Sequence, residues 1–529
     1  MTEDSPRARS WAAPAAAVLA LAAVLPLVSR ELGTLGGDNA EYVLLAKSIA
    51  SFDGYASGWY PGPKVPHTQY PPLFPLLLVP FVGGAPASFL GCHLMVALFG
   101  AGAVYLMARL FERRGLPPVA AAAGALAPAL SILWLQTECE VLSELPFLFF
   151  VAATLNLLEP GTLERLPTKR IAWAAVCAGL AFYTRTAGLA LVIPVAAMIS
   201  LDRRTRGRAA WIAAGSLVAA CGLWFLYGAI AGAAGGYGDQ LQAGSDGLLA
   251  RGWKGFRNLY FPNTPAFAFP HPGPLWNYAG WGLWAMGAFA LAQGFRRRRC
   301  LAVTELFFLI YLAMQSAWPF ADPRFAIPLA ALLVLFTVEE VHGIAGWLKV
   351  SAVPVSCIVA VLLAVPNVQR YFGLVLPRAH RERPALAPGD HEPARVPRTW
   401  SWNDEQYRQA ALPLASWLHA CDLVRGGALP SGLLPPGPVL SCNPRIASLL
   451  CGRAAVNPPP MIRHYSGPFG PYEEWIEGHL PPGVDHLLLV DGFGGDSSEG
   501  LRRLRDLGPA KVPPLLSLPG GVELLRVPR

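Results

Sequence analysis

Residues 202–232, DRRTRGRAAWIAAGSLVAACGLWFLYGAIAG, place a short basic segment directly before a long apolar one. No charged side chain occurs between Ala209 and Gly232, and about 20 consecutive apolar residues are enough for a helix to cross a bilayer. Lysine and arginine collect in the cytoplasmic loops of membrane proteins. The stretch therefore predicts a transmembrane helix that begins on the cytoplasmic side.

Long apolar runs of this kind recur through the first two thirds of the chain. Of the 529 residues, 53% are hydrophobic and 14% are charged, whereas an average soluble domain has about 25% charged residues. This composition excludes an ordinary soluble enzyme and predicts a mainly α, polytopic transmembrane helical bundle of about eleven spans. The predicted spans are 11–29, 87–110, 117–135, 141–158, 171–183, 187–201, 209–232, 278–294, 302–318, 325–341 and 346–366.

The basic residues predict the orientation of these spans. Thirteen lysines and arginines fall in the 32 residues of four alternate connecting segments, 111–116, 159–170, 202–208 and 295–301. The connecting segments on the opposite side hold eight in 100 residues. By the positive-inside rule the first set is cytoplasmic. Most of the basic excess behind the net charge of +8 is therefore a topology signal, which argues against a nucleic-acid partner.

A second domain is predicted from residue 370 onward. Charged residues return there, and short β-like runs at 439–441, 487–490 and 522–525 alternate with helical ones near 403–421 and 498–506. This pattern predicts a small α/β domain over 370–529 after a membrane domain over 1–369. An odd number of spans places it outside the cell, where Cys442 and Cys451 could pair.

The first outer segment carries Asp38 and Glu41 at the start of a helical pattern. Tyr42, Leu45, Ala46 and Ile49 recur at helical spacing, which predicts an amphipathic helix on the membrane surface. Asp38 as N-cap with Glu41 three residues later would form a capping box. A catalytic role for the two acids is compatible with capping.

The segment from Tyr70 to Pro75, followed by a short apolar run to Gly84, predicts a broken or re-entrant half-span. Prolines suit this role because they stop helices where irregular backbone lines a cavity. The alternative is a helix that simply begins at a proline.

Charged residues at the outer ends of later spans mark a further candidate region. A solvated loop accounts for Glu138, but apolar neighbours surround Glu144, and a carboxylate beside a span is costly unless it faces water or a cation. Arg185 is the only charged residue between Arg170 and Asp202. Its side chain either extends to the lipid head groups or forms a binding site for a phosphate. Arg324, in Asp-Pro-Arg-Phe, is a second arginine at the outer end of a span. The alternative is that it forms an internal ion pair with the neighbouring aspartate.

The order of these segments carries a resemblance that covers about residues 10–370. Asp38 before a helix is followed by Tyr70–Pro75, Leu142–Pro146, Gly179–Arg185 and Pro323–Phe325. This order resembles the GT-C superfamily of polytopic glycosyltransferases, specifically the bacterial group similar to dolichyl-phosphate-mannose protein mannosyltransferases and aminoarabinose transferases. The C-terminal region resembles the extracytoplasmic domain of such proteins.

The resemblance implies an inverting transfer of a hexosyl or pentosyl group from a polyprenyl-phosphate donor to an extracytoplasmic lipid, polysaccharide or protein. In that family an acid of the first outer loop acts as base or binds the acceptor. A second acidic position and basic residues around the donor phosphate complete the site. The corresponding residues here are Asp38, Glu41 and Glu144 for catalysis, Glu138, Glu140 and Tyr70 for the acceptor or second acidic site, and Arg185, Arg324 and Lys64 for the phosphate.

Two other functions remain open at this point. A transporter or flippase for a lipid-linked sugar would be expected to show repeated halves and ionisable residues near mid-span, and the chain has no internal repeat. A non-catalytic scaffold for envelope assembly would leave Asp38 free to change. Under the transferase hypothesis the protein lies in the inner membrane among its lipids, with its catalytic face outside; no metal-ligand spacing is present, and a divalent metal stays open.

Overall fold

The computed structural model describes most of the helical region and parts of the C-terminal region. The described ranges are 10–28, 37–57, 65–82, 89–159, 166–201, 207–231, 250, 252–253, 274–298, 302–318, 322–376, 420–421, 423–426, 428–429, 432–433, 439–440, 444–451, 455–456, 486–490, 516–518 and 522–527.

Every predicted apolar run is helical in the structure, and the chain is a mainly α, polytopic membrane protein. The helices are α1 (Ala12–Val24, continued by a 3₁₀ turn Leu25–Leu27), α2 (Gly37–Ala50), α3 (Leu73–Val82), α4 (Phe89–Arg113), α5 (Pro118–Ala129), α6 (Ile132–Glu138), α7 (Glu144–Leu158), α8 (Thr168–Thr184), α9 (Leu189–Leu201), α10 (Arg208–Ala231), α11 (Pro274–Arg298), α12 (Val303–Ser316), α13 (Ile327–Trp347), α14 (Ala352–Arg370, continued by a π turn Tyr371–Val375) and α15 (Pro444–Cys451). Two 3₁₀ turns, Thr186–Gly188 and Pro323–Ala326, precede α9 and α13.

Four of the described helical segments are individually long and apolar enough to cross a membrane. A fifth is obtained if α5 and α6 count as one broken span, and several shorter apolar helices accompany them. The total of about eleven spans stays a prediction.

The run predicted as one span over 117–135 is broken into two helices that meet at an angle of 72°. Pro128 lies in the last turn of α5, and Ser131 begins α6 by accepting a hydrogen bond from Trp134 N at 3.3 Å. A side-chain oxygen at this position satisfies one of the backbone N–H groups that a helix start leaves unpaired. The break turns α6 away from the axis of α5.

The alanine-rich helix α5 packs against α1, α13 and α14. Small residues allow helix backbones to approach closely, which is how helices associate in a membrane. Asn367 on α14 donates a hydrogen bond to Ala127 O at 2.7 Å, and both residues are buried. This bond adds a polar link to the contact between the two helices.

One end of the bundle is held by a buried arginine. Arg114 follows α4, and its guanidinium forms ion pairs with Glu305 at 2.9 Å, Glu339 at 2.8 Å and Glu159 at 3.6 Å. These acids come from α12, α13 and the end of α7. Gly115 takes a positive φ of 99°, which lets the chain turn directly after the arginine. This end of the bundle is the one predicted to be cytoplasmic.

Helix α2 differs from its predicted form in two respects. It begins at Gly37, so Asp38 lies inside the first turn and is not the N-cap. The helix is also buried on most of its surface, as Tyr42, Leu45 and Glu41 show, with exposed fractions of 3%, 0% and 1%. It packs against α15 and strand β1 (Ala56–Ser57), and its position on the membrane surface stays a prediction.

The C-terminal strands form a five-stranded mixed sheet. Its members are β5 (Val439–Leu440), β6 (Ala455–Val456), β7 (His486–Val490), β8 (Leu516–Leu518) and β9 (Val522–Val527), in the order β6-β5-β7-β9-β8. Strand β5 is parallel to β6 and β7, and β9 is antiparallel to β7 and β8. Helix α15 connects β5 to β6. Three of these strands coincide with the β-like runs of the sequence, whereas most of 403–421 and all of 498–506 and Cys442 lie outside the described residues.

Two small hairpins complete the described strands. Strand β1 pairs antiparallel with β2 (Val65–Pro66), and β3 (Ala428–Leu429) pairs antiparallel with β4 (Gly432–Leu433).

The chain divides into two compact units. The first consists of Met1–Val28, Thr68–Phe74 and Leu90–Ala379, and the second of Ser29–His67, Pro75–Phe89 and His380–Arg529. The second unit thus includes α2 in addition to the C-terminal sheet. The boundary between residues 369 and 370 stays a sequence prediction.

Candidate functional site

In the first unit, a buried carboxylate joins two arginines. Glu144 begins α7 and is 4% exposed. Its Oε1 atom lies 2.5 Å from a terminal guanidinium nitrogen of Arg185 and 3.3 Å from Nε of Arg324. The three residues were predicted separately to belong to the site, and the structure brings them together. The cation that Glu144 was expected to face is therefore a pair of guanidiniums.

Arg185 is presented by a sharp turn between two helices. Helix α8 ends at Thr184, and Arg185 takes an extended conformation (φ −149°, ψ 135°) before the 3₁₀ turn. Its guanidinium also donates a hydrogen bond to Ser143 Oγ at 3.2 Å. A Cβ at Gly188 would lie 2.5 Å from the backbone nitrogen of Phe182. Only glycine therefore allows the turn to fold back against α8 without a backbone shift.

Arg324 is held by its own short turn. Asp322 accepts a hydrogen bond from Arg324 N at 3.1 Å, and its other carboxylate oxygen lies 2.7 Å from Arg324 Nε. The Asp–Arg pair expected as the structural alternative is thus present, and Glu144 extends it into a four-residue network. The side chains of Arg185 and Arg324 are 16% and 19% exposed, so neither arginine is fully buried.

The network lies beside α4. A Cβ at Gly100 would lie 3.2 Å from Leu145 on α7, so the first turn of α7 lies beside the middle of α4. Gly100 is about 16 Å along α4 from its first residue, at 1.5 Å per residue. The far end of α7 leads to Glu159 and the Arg114 cluster, about 22 Å away by the same rise. The Glu144 network and the Arg114 cluster therefore lie at opposite ends of α7.

Glu140 lies in the loop between α6 and α7 and is half-buried. Removal from water disfavours its charged form and raises its pKa to about 7, although Arg324 acts in the opposite direction. The neighbouring charges of Glu144 and Asp322 add to the rise. A carboxyl group next to the arginines is thus placed to change charge near neutral pH.

Glu138 is not in a solvated loop, and this interpretation is corrected by the structure. It is the last residue of α6 and is 1% exposed. A Cβ at Gly100 would lie only 2.2 Å from Glu138 Oε1. The carboxyl group therefore packs directly against the backbone of α4.

In the second unit, Glu41 is paired with a histidine that sequence reasoning left unassigned. Glu41 Oε1 lies 3.4 Å from His67 Nδ1, and both side chains are buried. The rings of Tyr55 and His67 pack edge to face at 5.6 Å, and His67 N donates to Tyr55 O at 2.9 Å. The β1–β2 hairpin creates this pairing, and no spacing along the chain indicates it. Asp38 is partly exposed one turn before Glu41.

The remaining predicted residues are less informative. Tyr70 is 8% exposed and lies just before α3. Lys64 and the basic and aromatic segment 233–277, apart from 250, 252, 253 and 274–277, lie outside the described residues. Among the described residues, no group of three histidine, cysteine, aspartate or glutamate side chains is placed to hold a metal ion.

Known structures share this architecture over nearly the whole chain. ArnT from Cupriavidus metallidurans bound to undecaprenyl phosphate matches with a TM-score of 0.57 and 12% identity, covering 97% of this chain and 97% of that one. The archaeal oligosaccharyltransferase AglB from Archaeoglobus fulgidus, in complex with an inhibitory peptide and a dolichol-phosphate, matches with a TM-score of 0.53 and 15% identity over 90% of this chain and 69% of AglB. The chain has the GT-C fold. Neither a protein-family model nor a curated protein sequence matches it.

The GT-C fold is what the order of sequence segments predicted. ArnT in the apo state gives the same result, with a TM-score of 0.54 and 13% identity over 97% of both chains. At these sequence identities the likeness shows the fold alone, and the chemistry of this chain depends on its own residues.

Proposed function

We propose that this protein is a glycosyltransferase that moves a sugar from a polyprenyl-phosphate donor to an extracytoplasmic acceptor. The observation that carries the proposal is the convergence of Arg185 and Arg324 on Glu144 within a GT-C fold. Two partly exposed arginine side chains that approach the same carboxylate oxygen suit a phosphate, because each guanidinium offers several N–H donors in a fixed plane. The fold is shared with proteins whose structures contain undecaprenyl phosphate and dolichol-phosphate.

The arginines are proposed to act on the leaving group. As the bond between the sugar and the phosphate breaks, negative charge grows on the phosphate and positive charge on the sugar. Arg185 and Arg324 stabilise the departing phosphate, and Glu144 holds both guanidiniums in place before the donor arrives. Lys64 is proposed to join them. A direct inverting transfer of a hexosyl or pentosyl group needs no covalent intermediate with the enzyme.

Asp38 is proposed as the base that takes the proton from the acceptor. It is partly exposed in the first turn of α2, and an accessible carboxylate can accept a proton from a hydroxyl group. Glu41 is proposed to support it through the ion pair with His67. Glu140, with Glu138 and Tyr70, is proposed to contribute to the acceptor side or the second acidic position.

Exposed tryptophans support the placement of these helix ends at a membrane–water interface, and the distribution of lysine and arginine supports the orientation. Trp173, Trp211 and Trp347 lie near the ends of α8, α10 and α13 that face the predicted cytoplasm, and their exposed fractions are 54%, 55% and 80%. Tryptophan is enriched at membrane–water interfaces. Since the Glu144 network lies at the other end of α7, we propose that it opens to the extracytoplasmic face.

The proposal is tested with the full chain in lipid vesicles that contain a radiolabelled polyprenyl-phosphate sugar. We expect loss of the labelled donor and labelling of the acceptor. Arg185→Ala and Arg324→Ala are expected to reduce transfer strongly, whereas Arg109→Ala removes an arginine of a surface pair with Glu112 and should have little effect. Movement of intact donor across the bilayer without sugar release would instead indicate a flippase.

The base is tested by Asp38→Asn, with Asp53→Asn as the matched control. Asp53 is exposed in the turn after α2, so the variant removes one carboxylate charge outside the first turn of that helix. We expect Asp38→Asn to abolish transfer while phosphate binding persists. Undiminished transfer by this variant would exclude Asp38 as the base.

A further inference from the structure

One aromatic ring serves both arginines of the proposed phosphate site. The guanidinium carbon of Arg185 lies 5.0 Å from the centre of the Phe325 ring, and that of Arg324 lies 5.5 Å from it. Both distances are within the range of about 6 Å over which a cation is attracted to the negative face of an aromatic ring. Phe325 is partly buried, so this attraction is less screened than on an open surface.

The backbone of Phe325, from which the ring extends, is held by hydrogen bonds at its N–H and its carbonyl group. Phe325 N donates to Asp322 O at 3.1 Å within the 3₁₀ turn. Tyr311, fully buried on α12, donates its hydroxyl hydrogen to Phe325 O at 3.1 Å. The Tyr311 ring stacks on Phe147, with ring centres 6.0 Å apart. Phe147 is one turn from Glu144 on α7, so these contacts link the backbone of Phe325 to the helix that carries the carboxylate.

The position of the Phe325 ring bears on the electrostatic repulsion between the two guanidiniums. Two guanidiniums that must bind one phosphate repel each other while the site is empty. Glu144 offsets this repulsion through its Oε1 atom, which both arginines approach. The face of Phe325 adds a second favourable contact for each cation without adding a charge that would compete with the phosphate for it.

We propose that Phe325 is a positioning residue that keeps Arg185 and Arg324 at the spacing needed to bind one lipid phosphate. This inference rests on the proposed function, because it assigns the two arginines to the donor phosphate. It requires the π-face of the ring and not only its volume. Arg324 and Phe325 are adjacent in sequence, whereas Arg185 reaches the ring only in the folded protein.

The test compares the substitutions Phe325→Leu, Phe325→Met and Phe325→Tyr in the full chain reconstituted in nanodiscs. The measured quantity is the dissociation constant for undecaprenyl phosphate. We expect Leu and Met to weaken binding roughly tenfold, since two cation–π contacts are lost, and Tyr to stay close to wild type. Phe336→Leu is the matched control, because Phe336 lies 5.9 Å from the Arg114 guanidinium at the other end of the bundle.

Failure of this inference can be distinguished from failure of the proposed function. Arg185→Ala and Arg324→Ala that bind the lipid phosphate as wild type does would overturn the assignment of the arginines. If these variants lose binding but the Leu and Met variants of Phe325 retain it, the positioning role alone is wrong. Equal weakening by the Tyr variant would indicate a packing role and would also overturn it.

A second substitution keeps the inference testable if the Leu and Met variants fail to fold. Tyr311→Phe removes one hydroxyl group and leaves both rings in place. We expect the bond to Phe325 O to be lost and lipid-phosphate binding to weaken severalfold. Binding equal to that of wild type would show that fixing the ring does not matter.

Discussion

Replacing Gly100 by alanine should destabilise the protein through the buried carboxyl group of Glu138. A Cβ at this position would lie 2.2 Å from Glu138 Oε1 and 2.9 Å from its carboxyl carbon, with Leu145 at 3.2 Å. Ordinary van der Waals contacts begin at 3.4 Å, so the contact with Oε1 would be more than an ångström too short. Because Glu138 is 1% exposed, its carboxyl group cannot move into water, so the Glu138 side chain must rearrange within the protein or α6 must shift relative to α4.

The size of the effect follows from two opposing contributions. An alanine in a helix interior is favoured over glycine by about 1 kcal/mol. Overpacking a close contact typically costs 1–3 kcal/mol, and more when the neighbour cannot yield. We expect a net decrease in the free energy of unfolding of about 1–2 kcal/mol. The displacement of α6 should also disturb the first turn of α7, where Glu144 lies.

The measurement is thermal or denaturant unfolding of the full chain in detergent. Gly215→Ala is the matched control, because Gly215 lies inside α10 and no other group is within 4 Å of the position that a Cβ would take there. It should leave stability unchanged or raise it slightly. Adding Glu138→Ala should recover part of the loss in the Gly100 variant. Equal stability of the two glycine variants, or strictly additive losses in the double variant, would refute this reasoning.

Three further predictions concern the charge of Glu140, the turn at Gly188 and the ion pairs of Arg114. The pKa of Glu140 is raised to about 7, so this carboxyl group is neutral below that pH and gains a negative charge beside Arg324 above it. Phosphate binding should therefore weaken as the pH rises through about 7. Glu140→Gln should remove this pH dependence from a binding titration. Gly188→Ala should lower lipid-phosphate binding and stability, because its Cβ would collide with backbone atoms; wild-type binding would contradict the role of this turn. Arg114→Ala should cost about 3–5 kcal/mol of stability in an unfolding experiment, since the buried guanidinium that three acids share is removed. Arg109→Ala should cost at most about 1 kcal/mol.

The apolar helices and the residue types of the candidate site could be predicted from the sequence. Apolar length is a local property, so each predicted span is helical in the structure. Glu144, Arg185 and Arg324 could be singled out because an ionised side chain beside a span is costly wherever it lies along the chain. The order of the segments was enough to predict the GT-C fold, which the comparison of structures confirmed.

Which of these residues come into contact depends on the tertiary structure. The bend between α5 and α6 places Glu138 against Gly100, whereas Glu144 meets two arginines from distant segments. Helical periodicity shows which residues share a face of one helix, but not which face of another helix they meet. The contact of both arginines with the Phe325 ring and the pairing of Glu41 with a histidine could not be predicted for the same reason. Each depends on the distance between segments that only folding brings together.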